Sequence, residues 1–104
     1  MVQVTHNSQA QQFEVSLPDG GLATMVYRHY KGNIAFMHTH VPEAYEGQGI
    51  AAAMAQKALQ WVQSQGKKIM LYCPYVSGYV KRHPEYHPLV NMEYHQGWPG
   101  HTAP

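Results

Sequence analysis

Glu46-Gly47-Gln48-Gly49-Ile50-Ala51 sets two glycines immediately before a run with helical periodicity, a combination suited to holding an anion. The first N–H groups of a helix have no partner inside it, point along its axis and lie at the positive end of its dipole. A phosphate fits there. Gly47 and Gly49 remove side chains that would hold a diphosphate at a distance and open backbone angles closed to other residues, while Ala51 is small enough for close approach. Gly-x-Gly is also frequent in ordinary turns, so the motif speaks only where it follows a strand and opens a helix.

A second set of residues is suited to proton or acyl transfer. Cys73 directly precedes Pro74, a favoured first helical residue, and Tyr75/Tyr79 with Val76/Val80 are i,i+4 pairs of a short helix. Cys73 is therefore expected at a helix N-terminus, a place that favours thiolate and makes covalent catalysis chemically open. The competing reading is an inert small hydrophobe on the apolar face of Ile69 and Leu71. His38 and His40, two apart on a strand, share one face, and histidine is a natural base near neutral pH, although strand histidines are as often structural. Tyr75 and Tyr79 offer phenols that serve as acids or as packing surface. Arg82 is placed to reach a phosphate or merely to complement a helix end. The eight histidines, with His38/His40 and His83/His87 closely spaced, raise a histidine-based metal site as a further reading. No compact metal-type spacing is present and Cys73 lacks a second thiol, so no metal is expected.

The elements that must position these residues follow from periodicity. Ile34, Phe36 and His38 alternate with Ala35, Met37 and Thr39, the pattern of a strand that Pro42 stops. Ile50, Met54, Ala58, Trp61 and Val62 recur at helical spacing, predicting a helix over 48–65 that leaves at Gly66. Upstream, Val2 to Thr5 is a short strand candidate, Phe13, Val15 and Leu17 mark a second, and Leu22 to Tyr30 a third that reverses at Lys31-Gly32. Lys68 to Tyr72 reads as a fifth strand, and a helix joining the fourth to the fifth within one sheet implies a parallel pair. The fold class is α+β: a mixed, mostly antiparallel sheet.

Composition bounds the rest. The chain has 104 residues, 44% of them hydrophobic and 12% charged, with no apolar run near the length that spans a bilayer. At this length roughly 60–70% of the unfolded surface is buried, enough for one core but not for a separate substrate domain. A formal charge of +1 lacks the basic field of a nucleic-acid binder, and Lys67-Lys68 and Lys81-Arg82 read as solvated surface. No export signal opens the chain and the lone Cys73 has no internal disulfide partner, which points to the cytoplasm. Residues 1–90 are expected to form one domain and 91–104 a tail, docked or partly disordered, with Gln96 to Pro104 loose. Met92, Tyr94 and Trp98 favour docking on the domain or on a second copy, since burying each large side chain is worth roughly 1.5–3 kcal/mol. Monomer and homodimer both stay open.

His38-Thr39-His40-Val41-Pro42, Glu46 to Ala51, Cys73-Pro74-Tyr75 and Arg82-His83-Pro84-Glu85-Tyr86 together resemble a minimal GCN5-related N-acetyltransferase, from about residue 11 to residue 88. The resemblance implies the acyl-CoA N-acyltransferase fold, in which the parallel fourth and fifth strands splay around the long helix between them. It implies acetyl-CoA as co-substrate and transfer of the acetyl group to an amine. The family signature falls on Glu46, Gly49 and Ala51. Glu46 departs from the usual cation or amide, which leaves phosphate binding to the N–H groups from Gln48 to Ala52, with the Gln48 side chain as an added donor. The same likeness sets the pantetheine arm beside Thr39, His40 and Val41, the phosphates at Gly47, Gln48, Gly49, Ile50, Ala51 and Ala52, and Cys73, Tyr75, Tyr79 and Arg82 along the rest of the ligand. Its catalytic candidates are Cys73, His40, His38 and Tyr79, with direct amine attack the commoner route. Longer members carry a helical segment among the early strands that builds the acceptor side, whereas here only Pro18 to Gly21 separates two of them. The acceptor site is thus open, shallow or supplied by another copy, and a non-catalytic CoA-binding or protein-interaction module is the alternative reading. No acidic cluster beyond scattered Glu43, Glu46 and Glu85 selects an acceptor.

Overall fold

Phe13 and Val15 on β2 (Gln12–Ser16), Ala23, Met25 and Tyr27 on β3 (Leu22–Tyr30), and Ile34 and Phe36 on β4 (Asn33–His40) are all buried. Residues two apart share a strand face, so they give the sheet one continuous apolar side. In the computed structural model, which describes residues 2–95, β1 (Thr5–Asn7) and β5 (Lys68–Leu71) complete a five-stranded sheet in the order β1-β2-β3-β4-β5. The first three pairings are antiparallel and β4–β5 is parallel, the mixed α+β arrangement expected.

A parallel pair needs a crossover, and α1 (Ile50–Gln65) supplies it. Its buried residues Ile50, Met54, Ala55, Ala58, Leu59 and Val62 lie three or four apart and seat it on the apolar side of the sheet. Gly66, in the left-handed region at φ 66°, ends it by donating its N–H back to the last turn. The helix starts at Ile50 rather than at the expected residue 48. Gly47 and Gly49 adopt φ of 82° and 80°, angles that a right-handed helix does not contain. α2 (Pro74–Arg82) follows β5 and packs beside α1 on the same face.

Two strand limits also shift. The first strand is Thr5–Asn7, not 2–5, because its pairing runs from Thr5↔Glu14 to Asn7↔Gln12 while Val2 and Val4 pack against the core from outside the sheet. β5 ends at Leu71, the last residue paired with β4, although the Tyr72 N–H still bonds the Phe36 carbonyl at 3.1 Å.

The larger correction concerns β4. Val26 pairs with His38 but Tyr27 pairs with Phe36, so Met37 is an extra residue, a β-bulge. Strict alternation would carry His38 on the same side as Ile34 and Phe36. After the bulge the phase inverts: Thr39, opposite buried Met25, turns to the helices, and His38 and His40, opposite Val26 and Thr24, are exposed on the reverse face. The two histidines share a face as expected, but the other one.

Beyond α2 a 3₁₀ segment, Pro84–Leu89, returns the chain to β5, where Val90 bridges Ile69 and the Asn91 N–H bonds the Ile69 carbonyl at 3.0 Å. The Asn91 side-chain amide donates to Asn33 Oδ1 at 2.8 Å, and the Leu71 N–H donates to His95 Nε2, also at 2.8 Å. Met92 packs against the core, while Tyr94 lies 6.1 Å from the Tyr30 ring. Trp98 and the loose tail expected from Gln96 onward lie outside the described residues. Among the described residues no helix covers the reverse face of the sheet, and none is long and apolar enough to cross a membrane.

Candidate functional site

The two glycines that delay α1 also open a cavity of about 390 Å³ at its N-terminus, lined by Thr39, Val41, Tyr45, Glu46, Gly47, Gly49, Ile50, Ala51, Ala52 and Tyr75. A Cβ at Gly47 or Gly49 would meet nothing within 4 Å, so glycine is required there by its positive φ and not by close packing. Gly49 is the N-cap and offers no side chain to the helix, and the first turn holds no acidic residue. The first α-helical bond runs from the Ala53 N–H to the Gly49 carbonyl at 3.0 Å. The N–H groups of Ile50, Ala51 and Ala52 therefore precede the helical ladder and sit at the cavity wall. Helix dipole and unpartnered N–H groups are the physical features that favour an anion at such a helix start.

β4 and β5 stay paired only as far as Phe36↔Leu71, and beyond that point the strands part. Across the gap, Thr39 Oγ1 and Cys73 Sγ lie within hydrogen-bonding distance at 3.2 Å. Cys73 is the N-cap of α2, as its neighbour Pro74 predicts, and its thiol is buried. Tyr75 joins it to the cavity. Burial raises the Tyr75 phenol above its ordinary value, an effect that the Arg82 guanidinium partly offsets and the Cys73 thiol reinforces. Tyr79 is buried behind Tyr75, ring centroids 6.3 Å apart, and stacks on His83 at 4.0 Å. Its phenol is raised by burial first and then by Tyr86. Both phenols thus hold their protons at neutral pH.

Of the residues singled out from the sequence, the fold brings Thr39, Val41, Gly47, Gly49, Ile50, Ala51, Ala52 and Tyr75 to one cavity, with Cys73 bonded to its Thr39 wall. Tyr79 stands one layer back, and Arg82 folds along α2, its Nη1 3.3 Å from where a Cβ on Gly78 would lie. Gln48 is not brought in; it borders a different crevice beside Val2, Leu17 and Pro18. His38 and His40 lie on the reverse face, separated from the cavity by the sheet itself. Sequence reasoning missed Tyr45, which the 3₁₀ turn Glu43–Tyr45 folds back over the cavity. An isolated tyrosine before a glycine loop carries no signal of that return. Among the described residues no group of three or more His, Cys, Asp or Glu side chains is placed to hold a metal ion.

Residues 12–89 match the sequence profile of GCN5-related N-acetyl-transferases. The chain belongs to that family. It is 36% identical to Protein NATD1 of Mus musculus over 85 residues, covering 80% of this chain and 77% of the relative. Protein NATD1 of Homo sapiens is 35% identical over 85 residues, with 80% and 75% covered. The fold is similar to the solution structure of a GCN5-like protein from Staphylococcus aureus, with a TM-score of 0.68 at 18% identity over 91% of this chain and 94% of that one. Membership gives the splayed β4–β5 pair and the glycine-led helix a shared meaning: they are the acetyltransferase framework, here with no helix between β1 and β2.

Proposed function

We propose that this protein is an N-acetyltransferase that binds acetyl-CoA on the helix-bearing side of its sheet and passes the acetyl group to an amine. The observation that carries the reading is the cavity at the N-terminus of α1, lined by Ile50, Ala51 and Ala52, whose N–H groups precede the helical ladder, and by Thr39 and Val41 beyond the last β4–β5 pair. The diphosphate suits the helix N-terminus, and the amide-bearing arm suits the backbone of residues 39–41, which has left its β5 partner behind.

The chemistry follows from the groups at the gap. The amine nitrogen attacks the thioester carbonyl carbon, an N–C bond forms, the C–S bond breaks, and CoA leaves as thiolate. The ammonium proton must first go to a base. His38 and His40 stand on the reverse face, across the sheet from the cavity, so neither is placed as that base and the proton passes to solvent water. Tyr75, with Tyr79 behind it, holds the proton that the thiolate takes. Cys73 acts as a wall residue, its Sγ engaged with Thr39, and acyl transfer runs directly to the amine. A reducing compartment such as the cytoplasm keeps that buried residue a thiol.

One observation favours the non-catalytic module instead: Glu46 lines the anion cradle, and a carboxylate there opposes phosphate. Calorimetric titration with acetyl-CoA and CoA, followed by an assay of thiol release with amines, separates the two. The enzyme reading expects saturable binding that Glu46→Gln strengthens and Ala51→Asp weakens by tenfold or more, each shift being on the order of 1.4 kcal/mol. Binding without release of thiol to any amine supports a CoA-binding module, and absence of binding overturns the enzyme and leaves a protein-interaction module.

A further inference from the structure

The reverse face of the sheet carries a trough of about 290 Å³ over the β4–β5 seam, and nothing in the acetyl-CoA cavity accounts for it. We propose that this trough is the acceptor site, and that it selects a small amine whose aromatic or apolar body also carries an acidic group. The proposal rests on the N-acetyltransferase reading and names the substrate class for it.

Position is the first argument. Ala35 and Met70, paired across the seam and both buried, form the floor. Met37 and Tyr72 line the end of the trough, each the residue after the last strand pair, Phe36↔Leu71, where the strands part. The cavity at α1 has Thr39, two residues along β4 from Met37, on its wall on the other face. Trough and cavity thus approach the same stretch of β4 from opposite faces, and the bulge at Met37 is what turns His38 to the trough's face.

Shape and charge give the class. The walls are aromatic: Tyr30 and Tyr94 lie 6.1 Å apart, and Tyr72 lies 6.0 Å from His95. The volume is at the small end of ligand sites, suited to a metabolite and not to a folded partner. Arg28 borders the trough beside His29, and Lys31 holds its Nζ 5.3 Å from the Tyr30 ring. Among the described residues no carboxylate borders it. A polyamine or a lysine-rich peptide finds repulsion here, whereas an acidic group finds a guanidinium whose Nη1 bonds the Tyr27 carbonyl at 2.7 Å and whose other N–H groups have no hydrogen-bond partner among the described residues. Arg28 pairs with Ala35, two residues or about 7 Å along the strand from Met37. An amine and a carboxylate separated by one ring span that interval.

The probe is 4-(aminomethyl)benzoate, compared with its methyl ester and with spermidine. Titrated into the protein without acetyl-CoA, the acid is expected to shift the backbone amides of Tyr30, Met37, Met70 and Tyr72, and Arg28→Gln to weaken it about tenfold, the scale of a hydrogen bond to a charged group. Arg28→Lys keeps the cation and restores part of the affinity. With acetyl-CoA, thiol release is expected to favour the acid over the ester, and spermidine least. Shifts that survive Arg28→Gln undiminished, or spermidine as the best acceptor, overturn the proposal. Acid binding in the trough with no acetyl-CoA binding at α1 overturns the acetyltransferase reading and leaves the trough as an acid-recognition site of another kind.

Discussion

The Thr39–Cys73 contact decides what the single thiol does. A buried sulfur facing a hydroxyl at 3.2 Å is held in place and withdrawn from solvent. Cys73→Ala is expected to leave thiol release within a few-fold of wild type; complete loss at an unchanged melting temperature would instead assign the acyl group to Cys73. Tyr75→Phe removes the phenol on the cavity wall and is expected to lower kcat by 10²-fold or more, the low end of general acid catalysis, with KM for acetyl-CoA little changed. Stability carries its own pH signature. Burial, then His29, lowers the imidazole of His6, and burial lowers that of His95. His6 Nε2 lies 2.6 Å from the Tyr27 hydroxyl and His95 Nε2 accepts the Leu71 N–H, bonds that proton uptake on those nitrogens disturbs. A histidine with a depressed folded-state pKa binds its proton more readily when unfolded, so stability is full above about pH 6.5 and falls as pH drops below it. Thermal melts between pH 7.5 and 5 check this, and His6→Gln is expected to flatten the dependence.

At the scale of elements, the site is built by two interruptions of regularity. Gly47 and Gly49 hold α1 back until Ile50, which is why its first N–H groups face a cavity and not a preceding strand. Gly49→Ala puts a side chain at φ 80° and is expected to cost about 1–2 kcal/mol, read as a lower melting temperature, and to weaken CoA binding with it. The second interruption, Met37, was not legible. Ile34 to His40 alternates cleanly on paper, and only the pairing partners on β3 reveal that one residue is extra. Whatever has its own period was readable: the α1 stripe, the β2 and β3 alternation, and the Pro74 start of α2. The order and sense of the strands were readable too, but a register shift against a neighbouring strand was not, and that shift decides which face His38 and His40 occupy. Gln48 failed for the same reason, since the left-handed turns on either side of it send its side chain toward Val2 and Pro18.

The whole molecule is a sheet with two helices on one side and, among the described residues, only the segment after Val90 on the other. That segment is fastened through Asn33, a buried amide side chain that accepts a hydrogen bond from Asn91 at 2.8 Å. Asn91→Ala leaves a buried carbonyl oxygen without that donor and is expected to cost about 1–3 kcal/mol, lowering the melting temperature by roughly 4 °C or more. The same change loosens Tyr94 and His95 over the trough, so acceptor affinity is expected to fall further than acetyl-CoA affinity. The face on which His38 and His40 stand was beyond sequence reading because it rests on the inverted phase after Met37.

A two-dimensional amide NMR titration with CoA tests the central claim most directly. The largest shifts are expected at the amides of Gly49, Ile50, Ala51 and Ala52, with a second group at Thr39 and Val41 and little change at Arg28 or Met70. Saturating CoA that leaves those helix-start amides unmoved, or that moves another region instead, would contradict it.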